Sequence, residues 1–170
     1  MQDVLIVIDM QNDFIDGALG TPEAQAIVDS VDSQILRYKK AKKPVLYTMD
    51  THTSNYLDTL EGQKLPIVHC VKGTKGWDLA VNHSNGDVVF EKPTFGSIDL
   101  ACYVANNYKS SNIELCGVCT DICVLSNATL LRAFNPNQHI CINSNLCAGT
   151  TPKAHTRALD ALQQIQIDAM

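Results

Sequence analysis

Asp9, Asp50 with His52, Lys92 and Cys123 are the side chains of this 170-residue chain best suited to chemistry, and each closely follows an apolar run. Cys123 ends the segment Gly117-Val118-Cys119-Thr120-Asp121-Ile122-Cys123. The run Ile113 to Cys116 before it reads as a buried strand, and Val124, Ala128 and Leu131 after it fall at i, i+4 and i+7 of a helix. With Thr120 or Asp121 as N-cap, Cys123 would sit in the first helical turn. Unpaired N–H groups and the positive end of the helix dipole there would favour the thiolate, which is the nucleophilic form. A lone cysteine so placed is more often a packing residue. What raises Cys123 above that is its company. In an open parallel sheet, ligands bind beyond the carboxyl ends of the strands. Asp9 (then Asp13 and Phe14), Asp50-x-His52, Lys92 and Cys123 all fall at such ends.

The elements that must position them are short. Val4 to Ile8, Val45 to Met49, Val88 to Phe90, Ile113 to Cys116 and Ile140 to Ile142 read as strands. Their unbroken apolarity suits a parallel sheet covered on both faces. Thr21-Pro22 opens a helix with Ala24, Ile27, Val28, Val31 and Ile35 on one side. Thr151-Pro152 does the same for Ala154, Ala158, Ala161, Leu162 and Ile165. Strands alternating with helices define an α/β fold with right-handed crossovers. The stretch from Thr51 to Gly86 lacks periodicity, and a loop of that length in a compact domain is usually functional.

Length and composition narrow the classes. The length predicts one domain over residues 1–170, with enough apolar content, 45%, for a single core. A net charge of −5 without a Lys/Arg cluster argues against nucleic acid as a partner. No segment has the length of a membrane span, and the first apolar run lacks a charged leader before it. The seven cysteines, an odd count without a secretion signal, predict reduced thiols and a cytoplasmic location. Cys116-x-x-Cys119 has C-x-x-C spacing, but with no second pair and no adjacent His it makes a poor zinc site.

VLIVIDMQNDF, TMDTH, LPIVHCVKGT, FEKPTFGS and GVCTDICV, in that order and spacing, resemble the isochorismatase-like cysteine hydrolases, most closely their nicotinamidase/pyrazinamidase branch. The resemblance covers nearly the whole chain. It implies a three-layer αβα fold around a six-stranded parallel sheet and a catalytic triad of Asp9, Lys92 and Cys123. It also implies a non-proline cis peptide between Val118 and Cys119, with the N–H groups of Cys119 and Cys123 forming an oxyanion hole. A divalent metal, commonly zinc, is implied at Asp50, His52 and His69, with Glu61 as a further ligand. Branches acting on carbamoyl or vinyl-ether substrates lack these ligands, so retaining them points to the nicotinamidase branch. Relatives of this kind assemble as homo-oligomers. His83, His139 and His155 have no partners at ligand spacing and read as surface or structural residues.

One departure bears on the substrate. Where nicotinamidases usually carry an aromatic residue just before their metal-binding motif, this chain has Lys64-Leu65-Pro66-Ile67-Val68-His69. Ring stacking would then fall to Phe14 and Phe95, with Leu65 as an apolar wall. Tyr56 and Trp77 are further aromatic candidates, Trp77 better suited to core packing. The leading expectation is hydrolysis of nicotinamide to nicotinate and ammonia in NAD salvage, through a Cys thioester. The alternatives are a family hydrolase for another small amide or carbamoyl compound, and a non-catalytic family member.

Overall fold

A computed structural model describes residues 2–170. Strands β1 (Asp3–Ile8), β2 (Val45–Asp50), β3 (Val88–Lys92), β4 (Asn112–Val118), β5 (Ile140–Ala148) and β6 (Asp168–Ala169) form one sheet in the order β3-β2-β1-β4-β5-β6. Every pairing is parallel. Val4 to Ile8 are all fully buried, as a central strand covered on both faces requires. The chain winds outward from β1 to β3, then returns to the other side of β1 for β4. The strand order therefore reverses between β1 and β4, where open α/β sheets form their ligand crevice.

The two Thr-Pro helix starts form as read. Thr21 caps α2 (Pro22–Lys40) by accepting from the Ala24 N–H at 3.0 Å, and Thr151 caps α6 (Pro152–Gln164) from Ala154 at 3.1 Å. α2 packs on one face of the sheet, while α4 (Ile98–Asn107), α5 (Leu125–Phe134) and α6 pack against one another on the other. The layers are αβα. The segment from Thr51 to Gly86 is more ordered than its lack of periodicity predicts. It holds a 3₁₀ turn at Tyr56–Asp58 and a short helix α3 (Leu60–Lys64) capped by Thr59. Bridges from His52 to Val71 and from Gln11 to Leu79 pin it across the sheet end, after a four-residue helix α1 (Asn12–Ile15).

One glycine is demanded by this arrangement. Gly117 pairs with Ile8 in the β1–β4 ladder at φ +115, and a Cβ there would stand 2.1 Å from the Ile8 carbonyl oxygen. The next residues along the two strands lead directly to Asp9 and Cys119.

Candidate active site

Between β4 and α5 the chain makes a π-helical turn, Thr120–Val124, after a cis Val118–Cys119 peptide. The Cys119 carbonyl closes it, accepting from Ile122 N at 3.0 Å and Val124 N at 3.1 Å. Cys119 occupies the N-cap position, and no side chain caps the turn, so the expected capping by Thr120 or Asp121 does not occur. Both have other partners. Thr120 Oγ1 meets His155 Nδ1 at 2.8 Å, and the Asp121 carboxylate accepts from Thr150 N at 2.8 Å and Thr150 Oγ1 at 2.6 Å. They bind the turn to Thr150 in the loop before α6 and to His155 within α6, which gives His155 its structural role.

Lys92 joins the three strand-end residues expected to form the triad. Its Nζ lies 2.6 Å from Asp9 Oδ2, 3.5 Å from Cys123 Sγ and 3.4 Å from Asp50 Oδ1, and it donates to the Thr94 carbonyl at 3.1 Å. With 1% exposure it is far from the solvated lysine that a Lys at a strand end usually is. Asp9 is fully buried, and its Oδ1 accepts from the Thr48 hydroxyl at 2.6 Å. Burial pushes the Asp9 carboxyl up and the Asp50 charge adds to this, against the pull of Lys92. Burial works to lower the Lys92 ammonium, yet the charges of Asp9, Cys123 and Asp50 raise it overall. Lys92 stays charged.

The expectation of a depressed Cys123 pKa is overturned. Burial raises the thiol well above its ordinary value, the Asp9 charge adds to that, and Lys92 only partly opposes them. The turn's dipole cannot outweigh a 5%-exposed position beside two carboxylates. The resting group is a thiol, next to a carboxylate placed to take its proton.

Asp50, His52, Glu61 and His69 form a second cluster, each offering one donor atom within 4.8 Å of the others. Asp50 Oδ2 stands 3.0 Å from His52 Nε2 and 3.4 Å from His69 Nε2, and Glu61 Oε1 is 3.8 Å from both imidazoles. His69 Nδ1 is 2.8 Å from the Ile67 carbonyl, an acceptor only, so that nitrogen carries a proton. In a neutral ring, Nε2 is then a bare lone pair aimed at two carboxylates. With that nitrogen bare, His69, Asp50 and Glu61 are converging acceptors that repel one another unless a cation or proton joins them. Two imidazoles and two carboxylates suit a first-row divalent metal, so the donor set fits the implied ion. Asp50 is held well below the usual carboxylate range: burial opposes this, but the neighbouring His52 and His69 rings and the Lys92 charge prevail. Burial and the Asp50 charge push Glu61 up.

Both clusters open into one cavity of about 330 Å³, lined mainly by apolar side chains. Phe14, Leu65 and Phe95 line it together with Ile122, Cys119 and Cys123, so the three predicted contact residues share the cavity with the thiol. Phe14 also meets the His69 ring edge-on at 5.6 Å. Tyr56 and Trp77 lie outside this lining. Tyr56 is buried beside the metal cluster, 4.7 Å from the His52 ring and 4.9 Å from the His69 ring, with its hydroxyl donated to the Leu65 carbonyl. Trp77 donates its indole N–H to Thr51 Oγ1 at 2.9 Å and packs against the core.

Gln11 and Asn127 escape the sequence reading, which places Asp13 at the first strand end without a partner. Gln11, fully buried, accepts from Asp50 N at 2.7 Å and donates to the Asp50 and Trp77 carbonyls. Asp13 accepts from the Cys70 N–H at 2.7 Å and so fixes the residue after His69, where Cys70 holds φ +46. Asn127 clasps the Cys123 carbonyl at 2.8 Å, the Phe95 carbonyl and the Ser97 N–H. Asp9 itself has φ +47, a region non-glycine residues rarely adopt and one that clusters at functional sites. The only available signal was polarity: Gln11 and Asp13 alternate with Asp9 after β1, and Asn127 breaks an apolar helix face.

A three-layer αβα architecture with a buried thiol, a carboxylate and an ammonium at the strand-order reversal narrows the class of protein. The isochorismatase domain model matches residues 3–170, and the chain belongs to that family, whose members are hydrolases. Among similar proteins, the isochorismatase family protein PncA of Bacillus subtilis (strain 168) is 28% identical over 174 residues, covering 94% of this chain and 93% of that protein. The zinc-bound pyrazinamidase of Pyrococcus horikoshii superposes with a TM-score of 0.87 at 26% identity, covering 100% and 99% of the two chains. N-carbamoylsarcosine amidase from Thermoplasma acidophilum superposes with a TM-score of 0.82 at 27% identity, covering 99% of this chain and 95% of that one.

Proposed function

We infer that this chain is a cysteine-dependent amidohydrolase that converts nicotinamide to nicotinate and ammonia, a step of NAD salvage. The observation that carries the reading is the placement of buried Lys92 between Asp9 and Cys123, at 2.6 and 3.5 Å, behind a cavity that Cys123 lines together with Asp50, Glu61 and His69. Because the thiol is not pre-ionised, Cys123 Sγ gives its proton to Asp9 as it attacks the amide carbon. Lys92 stabilises the charge shared by the pair. The N–H groups of Cys119 and Cys123 receive the oxyanion, a contribution worth about 10²–10³ in rate per donor. Protonated Asp9 then delivers its proton to the departing amine, and ammonia leaves with the thioester formed on Cys123. A water molecule deprotonated by Asp9 cleaves the thioester, releasing the acid and restoring the thiol. The raised Asp9 pKa suits a group that must both take and return a proton.

Asp50, His52, His69 and Glu61 would hold the metal, zinc by analogy with the Pyrococcus relative, and the ion would offer an open coordination position to the ring nitrogen. Phe14 and Phe95 flank the ring while Leu65 closes the apolar side. The second reading is a hydrolase for a small carbamoyl compound. Leu65 favours it where an aromatic wall would be expected, as does the likeness to N-carbamoylsarcosine amidase.

Metal analysis of the purified protein, combined with ammonia release from nicotinamide, pyrazinamide and ureido compounds, tests the two. Turnover of the pyridine amide in preference to ureido substrates is expected. Stoichiometric metal with turnover confined to ureido compounds would transfer the assignment to the second reading.

A further inference from the structure

A second cavity of about 470 Å³ adjoins the one that holds Cys123, and Glu61, Leu65, Phe95 and Ile122 line both. Its remaining walls are His52, Thr59, Leu60, Lys64, Pro93 and Thr94, and Leu60 and Pro93 extend the apolar side formed by Leu65, Phe95 and Ile122. Leu60 is 70% exposed and Phe95 43% exposed, a large apolar outlay for a surface with no buried role. Pockets of about 300–1,000 Å³ suit drug-sized ligands. A ring carboxamide with its carbonyl at Cys123 leaves the outer chamber untouched. The half-buried Leu65, with Phe95, Ile122 and Glu61, forms the boundary that the two chambers share.

We propose that the outer chamber is a substrate subsite, and that the chain acts on primary carboxamides whose ring carries an apolar alkyl or aryl substituent reaching past Leu65 and Phe95 toward Leu60 and Pro93. This rests on the amidohydrolase reading and names its substrate class. The apolar part of the lining, Leu60, Leu65, Pro93, Phe95 and Ile122, favours an alkyl or aryl substituent, beside the polar Thr59, Lys64 and Thr94. Leu60 is the separable element of the subsite: it lines the outer chamber and not the inner one. It is also highly exposed at the start of α3, so a polar replacement leaves the fold undisturbed.

The test compares nicotinamide with its 5-butyl and 6-butyl derivatives on the metal-loaded protein. At least one butyl compound should exceed nicotinamide in kcat/KM by about tenfold, the scale of a small alkyl group placed in an apolar pocket. Leu60→Gln should remove most of that gain while leaving nicotinamide itself within about twofold of the parent protein. If both butyl compounds are hydrolysed no better than nicotinamide, or if Leu60→Gln lowers all three alike, the subsite is overturned and the amidase reading stands. If no pyridine amide turns over, that reading falls. Calorimetric binding to the Cys123→Ala protein then decides the subsite separately. A butyl compound binding about tenfold tighter than nicotinamide, in a Leu60-dependent way, supports it, and equal binding overturns it.

Discussion

Two carboxylates are buried against the same sheet, and they are kept in opposite ways. Glu114 of β4 accepts from Gln34 Nε2 at 2.6 Å, Tyr38 OH at 2.7 Å and Asn143 Nδ2 at 3.0 Å, all neutral donors. Burial and the Glu114 charge push the Tyr38 hydroxyl up, so it is a committed donor. Asp9, one strand away, has one neutral hydroxyl, shares a single ammonium with Asp50 and faces a thiol. Both are polar groups in a dry interior, where an unmatched charge is costly. Glu114 is matched by its three neutral hydrogen-bond donors alone. Asp9 is matched by a charge that a second carboxylate also claims, so its proton affinity is poised to change with what binds beside it. The difference separates an acid caged by neutral donors from one that shares its counter-charge.

The sharpest way to break that contrast is Cys123→Ala. Turnover should fall by about 10⁴-fold or more, as for other nucleophile removals, with the circular dichroism spectrum and melting temperature retained. Alkylation sharpens it further. Because the Cys123 pKa lies above its ordinary value of 9.0, the rate of inactivation by iodoacetamide should still be climbing as pH passes 9. A plateau reached below pH 7 would mean a preformed thiolate. Labelling that maps to Cys119, itself pushed up to about 12 by burial and nearby acids, would displace Cys123 as the nucleophile.

Asp9→Asn comes next. The amide can neither take nor return the proton, so kcat should drop about 10²–10⁴-fold. Near-normal turnover in this variant would refute the proton shuttle. Lys92→Met, by contrast, should also damage the fold. It leaves Asp9 and Asp50 facing each other without a counter-charge, a change expected to cost about 3–5 kcal/mol in denaturant unfolding.

Metal removal should have a smaller effect, and mostly on binding. About one divalent ion per chain is expected by elemental analysis, as for a single site of this donor set. Chelation or His52→Ala should raise KM for nicotinamide more than it lowers kcat. Metal-free protein working at the full rate would detach the cluster from the reaction.

The smallest effect on turnover belongs to Glu114→Gln. It exchanges an acceptor for a donor within the Gln34, Tyr38 and Asn143 cage, which should cost about 1–3 kcal/mol of stability. Its kcat/KM should stay within twofold of the parent value, roughly the scale of a distant substitution. A tenfold loss of activity would show that the two buried acids are coupled.

Much of this could be read from residue order. β1 is legible because a fully buried central strand has to be apolar throughout, and the Thr-Pro signals mark α2 and α6 because caps are local. Asp9, Lys92 and Cys123 stood out by their positions after strands. The π-turn did not, since a turn closed by the Cys119 carbonyl leaves no mark on side-chain periodicity. The direction of the Cys123 pKa was misjudged because it depends on a sum over Asp9, Asp50, Lys92 and burial, none of them adjacent in sequence. β5 runs on to Ala148 rather than stopping at Ile142, carried past Asn143 and Ser144 by its ladder with β4, in which the register shifts between Leu115 and Gly117. α4 shows only Leu100, Ala101 and Val104 as a buried stripe, too short for periodicity to register.

Gly117 has a consequence for anyone remaking this protein. A methyl group there would meet the Ile8 carbonyl at 2.1 Å and wedge apart the two strands whose continuations carry the acid and the nucleophile. No atom of Gly117 need touch a substrate, yet a library that randomises this position returns a single residue. Variation at Leu65 or Leu60 can retune what the enzyme accepts. The spacing of the two strands that lead to Asp9 and Cys119 is set by the one side chain this position cannot have.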